Sequence, residues 1–167
     1  MMPARISALA AVFSLGLAPA SAQPVPFEAA MEDALSGAGL AAPLIRCTAL
    51  FRAFRLHGGA GTPLGESAAA READLAATSI AIWQSDTGTG GTEAAVEAIV
   101  PMVGAATDLF LARMGANQQA VGGVLDPELE TELVYCVTLQ DEIAAQTVRK
   151  TYQSDAGLGE QGSVNEY

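Results

Sequence analysis

The sequence predicts an all-α protein, a four- to five-helix bundle with one interhelical disulfide, and three observations carry that prediction. Apolar residues recur at helical spacing in every long segment, and nowhere does the strict alternation of a half-buried strand compete. Short connections rich in glycine and proline part these segments, as they part the helices of bundles. Cys47 and Cys136 each fall at the middle of an apolar stripe, so one bond would fasten two stripes side by side.

Residues 1–22 read as a secretory signal peptide. Arg5 supplies the positive start and residues 6–17 a short apolar run. That run falls below the roughly 20 residues that span a bilayer. Ala20-Ser21-Ala22 is the small-residue cleavage site, with Gln23 as the mature start. No later stretch reads as long and uniformly apolar enough to cross a membrane. The chain is alanine-rich and carries far more Arg than Lys, which points to a GC-rich bacterial genome and makes the periplasm the expected compartment, or secretion beyond it.

Residues 23–152 form the expected bundle domain, a common size for one domain. After Pro24 and Pro26 a short helix covers residues 27–35 and stops at Gly37 and Gly39. Pro43 opens a second, whose one face carries Leu44, Cys47, Leu50, Phe51 and Phe54. Arg52, Arg55 and His57 gather near its end, where cations suit the helix dipole. Thr62-Pro63 starts a third helix reaching about residue 84, with Leu64, Ala68, Leu75 and Ile82 on one side. Thr92 is expected to cap a fourth, in which Val96, Ile99, Val100, Val103, Thr107, Phe110, Leu111 and Met114 keep a clean period. Pro101 lies inside this helix opposite its apolar stripe, so a continuous rod bent at the proline is expected. Residues 115–123 read as a connection.

The last helix has the strongest start. Asp126 is a cap, Pro127 fits the first helical position, and acids face the positive helix end. Leu129, Leu133, Cys136, Val137, Ile143, Ala144 and Thr147 form its stripe. Residues 153–167 have few apolar side chains and read as a flexible acidic tail.

Composition excludes some functions. With 19 acidic and 8 basic residues the net charge is −11, a poor match for the phosphates of nucleic acid and for anionic lipid surfaces. Linking Cys47 to Cys136 would close a loop of about 90 residues, for which chain entropy gives roughly 4–5 kcal/mol as an upper figure.

Several motifs bear on chemistry. Asp86-Thr87-Gly88 matches the triplet of aspartic proteases, which need two such carboxylates sharing a proton; one copy between helices reads as a turn. His57-Gly58-Gly59-Ala60-Gly61 resembles an esterase oxyanion loop, and Gly65-Glu66-Ser67-Ala68-Ala69 approximates a nucleophile elbow. Ala69 stands where the elbow's last glycine belongs, and His57, the one histidine, cannot both build the loop and act as base. Gly88-Thr89-Gly90-Gly91 lacks the strand and Gly-Lys-Ser/Thr ending of a phosphate loop. His57 with Met31, Met102 or Met114 is the only available haem-type ligand pairing, and a helix end suits it poorly.

No catalytic, cofactor or metal constellation is therefore assigned, and catalysis is less expected than binding. Gln140 falls inside the last helix's stripe near Cys136 and needs a hydrogen-bond partner, with Thr107 or Thr48 the candidates. The first functional expectation is an exported interaction or accessory protein for another cell-envelope component. The second is a small apolar-ligand binder or carrier with a cavity near Phe51, Phe110 and Gln140. The acidic series Glu128, Glu130, Glu132, Asp141 and Glu142 reads first as a solvated face, and a docking strip for a basic partner is its functional alternative. Nothing in the sequence specifies the oligomeric state.

Overall fold

The structure, a computed structural model, describes residues 25–88 and 91–160, with the backbone alone at 148 and at 150–160. The expected signal peptide lies outside the described residues. Five α-helices follow in order, with no strand among the described residues: α1 (Phe27–Ala34), α2 (Ala42–Gly58), α3 (Pro63–Thr87), α4 (Thr92–Val121) and α5 (Pro127–Glu160). A single 3-10 turn, Gly39–Ala41, joins α1 to α2. The all-α bundle and the Cys47–Cys136 disulfide are thus what the fold contains, with an S–S distance of 2.05 Å.

Helix α2 is the centre of the bundle. Leu44, Ile45, Cys47, Thr48, Ala49, Leu50, Phe51, Ala53 and Phe54 are all buried along it. It packs most extensively on α3, then on α4, and meets α5 over a short span around the disulfide. Aromatics are few, and alanine fills much of the interior: Ala38, Ala41, Ala49, Ala53, Ala68, Ala95 and Ala106 are buried. Small side chains let backbones approach closely, and Gly65 shows the limit. A Cβ there would stand 2.1 Å from the Gly59 carbonyl oxygen, so only glycine lets the first turn of α3 sit on the end of α2. The Thr62 side chain caps that turn, accepting from the Gly65 N–H at 3.0 Å.

Helix α4 departs from expectation in four ways. Its N-cap is Gly91, so Thr92 is the first helical residue and not the cap. The helix runs on through residues 115–121, where a connection was expected. Alanine and glutamine favour helix there, and the stop comes at Gly122, whose φ of 74° ends the helix in the left-handed conformation. Val96 and Val100, placed on the apolar stripe by period, are exposed. The expectation that no later stretch has the length and hydropathy to cross a membrane also fails for α4, where an 18-residue window averages 1.6. Its outward residues are largely alanine and valine, which raise hydropathy without needing burial. Ile99, Val103, Thr107, Phe110 and Met114 are buried. Pro101 lies within the continuous helix on its exposed side, as its position predicts.

Helix α5 starts as expected: the Asp126 carboxylate accepts from the Leu129 N–H at 2.8 Å. It continues to Glu160, through residues 153–160 of the segment read as a tail. That stretch has no proline to stop it, and propagating an existing helix adds one hydrogen bond per residue fixed. Residues 161–167 lie outside the described residues.

Candidate functional site

Ion pairs hold the helices in register around the core. Arg46 on α2 joins two acids from opposite ends of the chain: Nε donates to Glu132 at 2.6 Å and Nη1 to Glu28 at 2.9 Å. Its hydrogen bonds hold the Glu28 carboxyl below the usual range. Arg113 on α4 grips Asp126 through Nε at 2.8 Å and Nη2 at 3.0 Å, and also reaches Glu128. Asn117 donates to the same Asp126 carboxylate at 2.8 Å. Arg113 is the main cause that lowers Asp126 to about 2. Both guanidiniums lie over the Phe27 ring, 6.0 and 4.8 Å from its centroid.

The largely buried acid of α3 is Glu72. Burial alone would raise its pKa, but hydrogen bonds from Arg55 at 2.6 Å and Arg52 at 2.9 Å bring it below the usual range. Those arginines, read from sequence as partners of the helix dipole, are thus partners of Glu72. A carboxylate held ionised between two arginines is a structural anion; a general acid needs the opposite shift.

A cleft lies between α3 and α5. Leu133 and Val137 of α5 face Leu64 and Ala68 of α3 across a groove of about 170 Å³ floored by Phe51 and Phe54. Further along, Ile143, Ala144 and Thr147 face Leu75, Ala77 and Thr78 across a groove of about 370 Å³. The order of these residues shows that the two helices advance in the same direction. Where the grooves meet, a polar strap crosses: Arg71 Nη1 donates to Gln140 Oε1 at 2.6 Å, and Gln140 Nε2 donates to Asp74 Oδ2 at 3.1 Å. The Arg71 guanidinium also lies over the Phe51 ring, 5.7 Å from its centroid.

The expected pocket residues therefore separate. Phe51 and Gln140 belong to successive parts of one cleft, whereas Phe110 is fully buried against Phe27, ring centroids 5.5 Å apart. Gln140 takes its partners from α3, not from Thr107 or Thr48. Thr107 instead bonds the carbonyl of Val103 at 2.6 Å, and Thr48 that of Leu44 at 2.8 Å. Both hydroxyls are satisfied within their own helices.

The outward side of α5 carries a second feature. Val134 and Tyr135 are 66% and 49% exposed. Thr131 and Thr138 flank them, each hydroxyl bonded back to the carbonyl four residues earlier. Spacing of i, i+3, i+4 and i+7 puts these four residues on one helical stripe. Glu28, Glu128 and Glu132 border Tyr135 across shallow grooves.

The motif residues take structural places. Asp86 accepts from the Leu40 N–H at 3.0 Å and so holds the 3-10 turn. His57 and Ser67 are exposed, and Met31 and Met114 lie in the core. Thr89 and Gly90 fall outside the described residues. Sequence reasoning missed Arg71, Glu72 and the strap; the one available signal was the placing of polar Gln140 inside an apolar stripe. Compared with protein-family models, curated proteins and solved structures, the chain matches none of them.

Proposed function

We propose that this chain is an exported, periplasmic or secreted bundle serving as an interaction or accessory protein for another component of the cell envelope. Two sequence features support export, the amino-terminal leader pattern and a cysteine pair suited to an oxidising compartment. The observation that carries the interaction reading is the exposed stripe Thr131–Val134–Tyr135–Thr138 on α5. An apolar i, i+3, i+4, i+7 face is the form in which one helix presents anchors to a partner's groove. The carboxylates at its border are already engaged by Arg46 and Arg113, so the contact is expected to rest on Val134 and Tyr135.

A photo-reactive amino acid at Tyr135, compared with one at exposed Ser85, tests the reading in intact cells. A discrete adduct at position 135, lost on Val134→Asp, is the expected outcome. Equal labelling at both positions, or none at either, would remove the reading.

A second reading, an apolar-ligand carrier, is favoured by the α3–α5 cleft. Apolar walls interrupted by a few convergent polar groups are the usual composition of small-molecule sites.

A further inference from the structure

We propose that the α3–α5 cleft binds a single-chain carboxylate amphiphile, a fatty acid, with Arg71 as the ligand of the carboxylate. The proposal rests on the carrier reading and adds to it the chemical class of ligand and the residue that selects it.

The argument begins with where this chain puts its cations. Arg46, Arg52, Arg55 and Arg113 are each ion-paired to a carboxylate. Arg71, the remaining arginine of α2, α3 and α4, has no carboxylate within ion-pair distance among the described residues. That is unexpected in a chain where acids outnumber bases 19 to 8. Its charge is held half-buried over Phe51, and only Nη1 donates to a side chain, the neutral amide of Gln140. The nearest acid of the strap, Asp74, reaches it through Gln140 and is itself exposed.

The guanidinium therefore keeps Nε and Nη2 uncommitted among the described residues, two N–H donors with the parallel geometry that a carboxylate accepts in bidentate fashion. On either side the walls turn apolar: Phe54, Leu133 and Val137 toward one end, Leu75, Ile143 and Ala144 toward the other. The larger groove, about 370 Å³, lies within the roughly 300–1,000 Å³ range of small-molecule sites. Arg71 lines the smaller groove, and the one acid of the larger, Asp74, is bonded by Gln140, so the cleft suits a ligand with one anionic group at Arg71 and an apolar chain along the walls. A peptide helix would instead bring backbone and several polar side chains to a trough whose polar groups are the strap and the hydroxyls of Ser67, Thr78 and Thr147.

The test compares sodium decanoate with decanol by calorimetry at pH 8, using the purified wild-type chain, Arg71→Met and Ala144→Trp, with circular dichroism confirming each fold. Wild type is expected to bind decanoate at least about tenfold more tightly than decanol, the worth of a hydrogen-bonded charge. Arg71→Met is expected to remove that preference, so that decanoate binds no more tightly than decanol. Ala144→Trp, which fills the larger groove without touching Arg71, is expected to weaken both. Should Arg71→Met fail to fold, the wild-type preference decides alone.

Equal binding of the two probes would overturn the carboxylate assignment and leave the carrier reading intact. Binding of neither would overturn both. Undiminished binding to a folded Ala144→Trp would overturn the location. Concentration-dependent self-association that Ala144→Trp abolishes would make the occupant a helix of a second copy, and so overturn the proposal.

Discussion

Asp126 shows how one side chain can be half legible in sequence. Its capping role follows from local rules alone, since an Asp before a Pro and an acid-rich first turn satisfies an N–H that the helix cannot. Its second role, the grip of Arg113 and Asn117, depends on where α4 ends. That end, at Val121, lies within the stretch read as a connection. The two roles together depress the Asp126 pKa from 3.8 to about 2. A folded pKa below the unfolded one contributes stability that is present above about pH 4 and is lost as pH falls through about 2. Asparagine keeps the cap but loses the charge, so Asp126→Asn is expected to be less stable than wild type at pH 7. In urea titrations the difference should shrink between pH 4 and 2 and vanish below. A difference that stays constant across that range would show that the charge is not its source.

Among the helices, α4 was the most regular in sequence and the most revised by the structure. Its buried positions Ile99, Val103, Phe110 and Met114 follow the expected period. Its ends do not, because caps and stops of an alanine-rich helix depend on glycine conformations that composition leaves open. Pro101 is where the element can be tested by itself. The proline removes one backbone hydrogen bond and sits on the exposed side, clear of the core. Pro101→Ala is expected to raise stability, by at most about 3 kcal/mol, as measured by urea unfolding. A fall would mean that the proline's distortion is what lets α4 reach α1 and α3 as well as α2. Helix α5 makes the complementary point. Its inner stripe was legible, whereas its outer stripe appears only once Thr131 and Thr138 are seen to turn their hydroxyls inward.

For the molecule as a whole, α5 is the least embedded of the long helices. It meets α2 over a short span. Besides the buried Leu129 and Cys136 and the half-buried Leu133, Val137, Leu139 and Ile143, it is fastened by Arg46–Glu132, Arg113–Asp126, the Arg71–Gln140 strap and the disulfide. A cross-link spanning 89 residues of sequence restricts the unfolded chain strongly. Reduction, or Cys47→Ser, is expected to lower stability by up to roughly 4–5 kcal/mol. In hydrogen exchange the loss should be largest along α5. Identical melting with and without reductant would contradict this.

By itself the sequence determined the helical class, the number of long helices, most of their starts and the cysteine pair. Each of these follows from interactions within a few residues or from counting two thiols. Only the tertiary structure decided that α2 is the centre, that α3 and α5 flank a cleft, and that Arg71 stands in it with no carboxylate ion-paired to it among the described residues. The physical reason is range. Periodicity and capping act over three or four residues, whereas the partner of a long, rotatable arginine is set by packing between helices. Where alanines line the contacts between helices, their small and uniform side chains encode no unique neighbour and leave that packing unwritten in the local pattern.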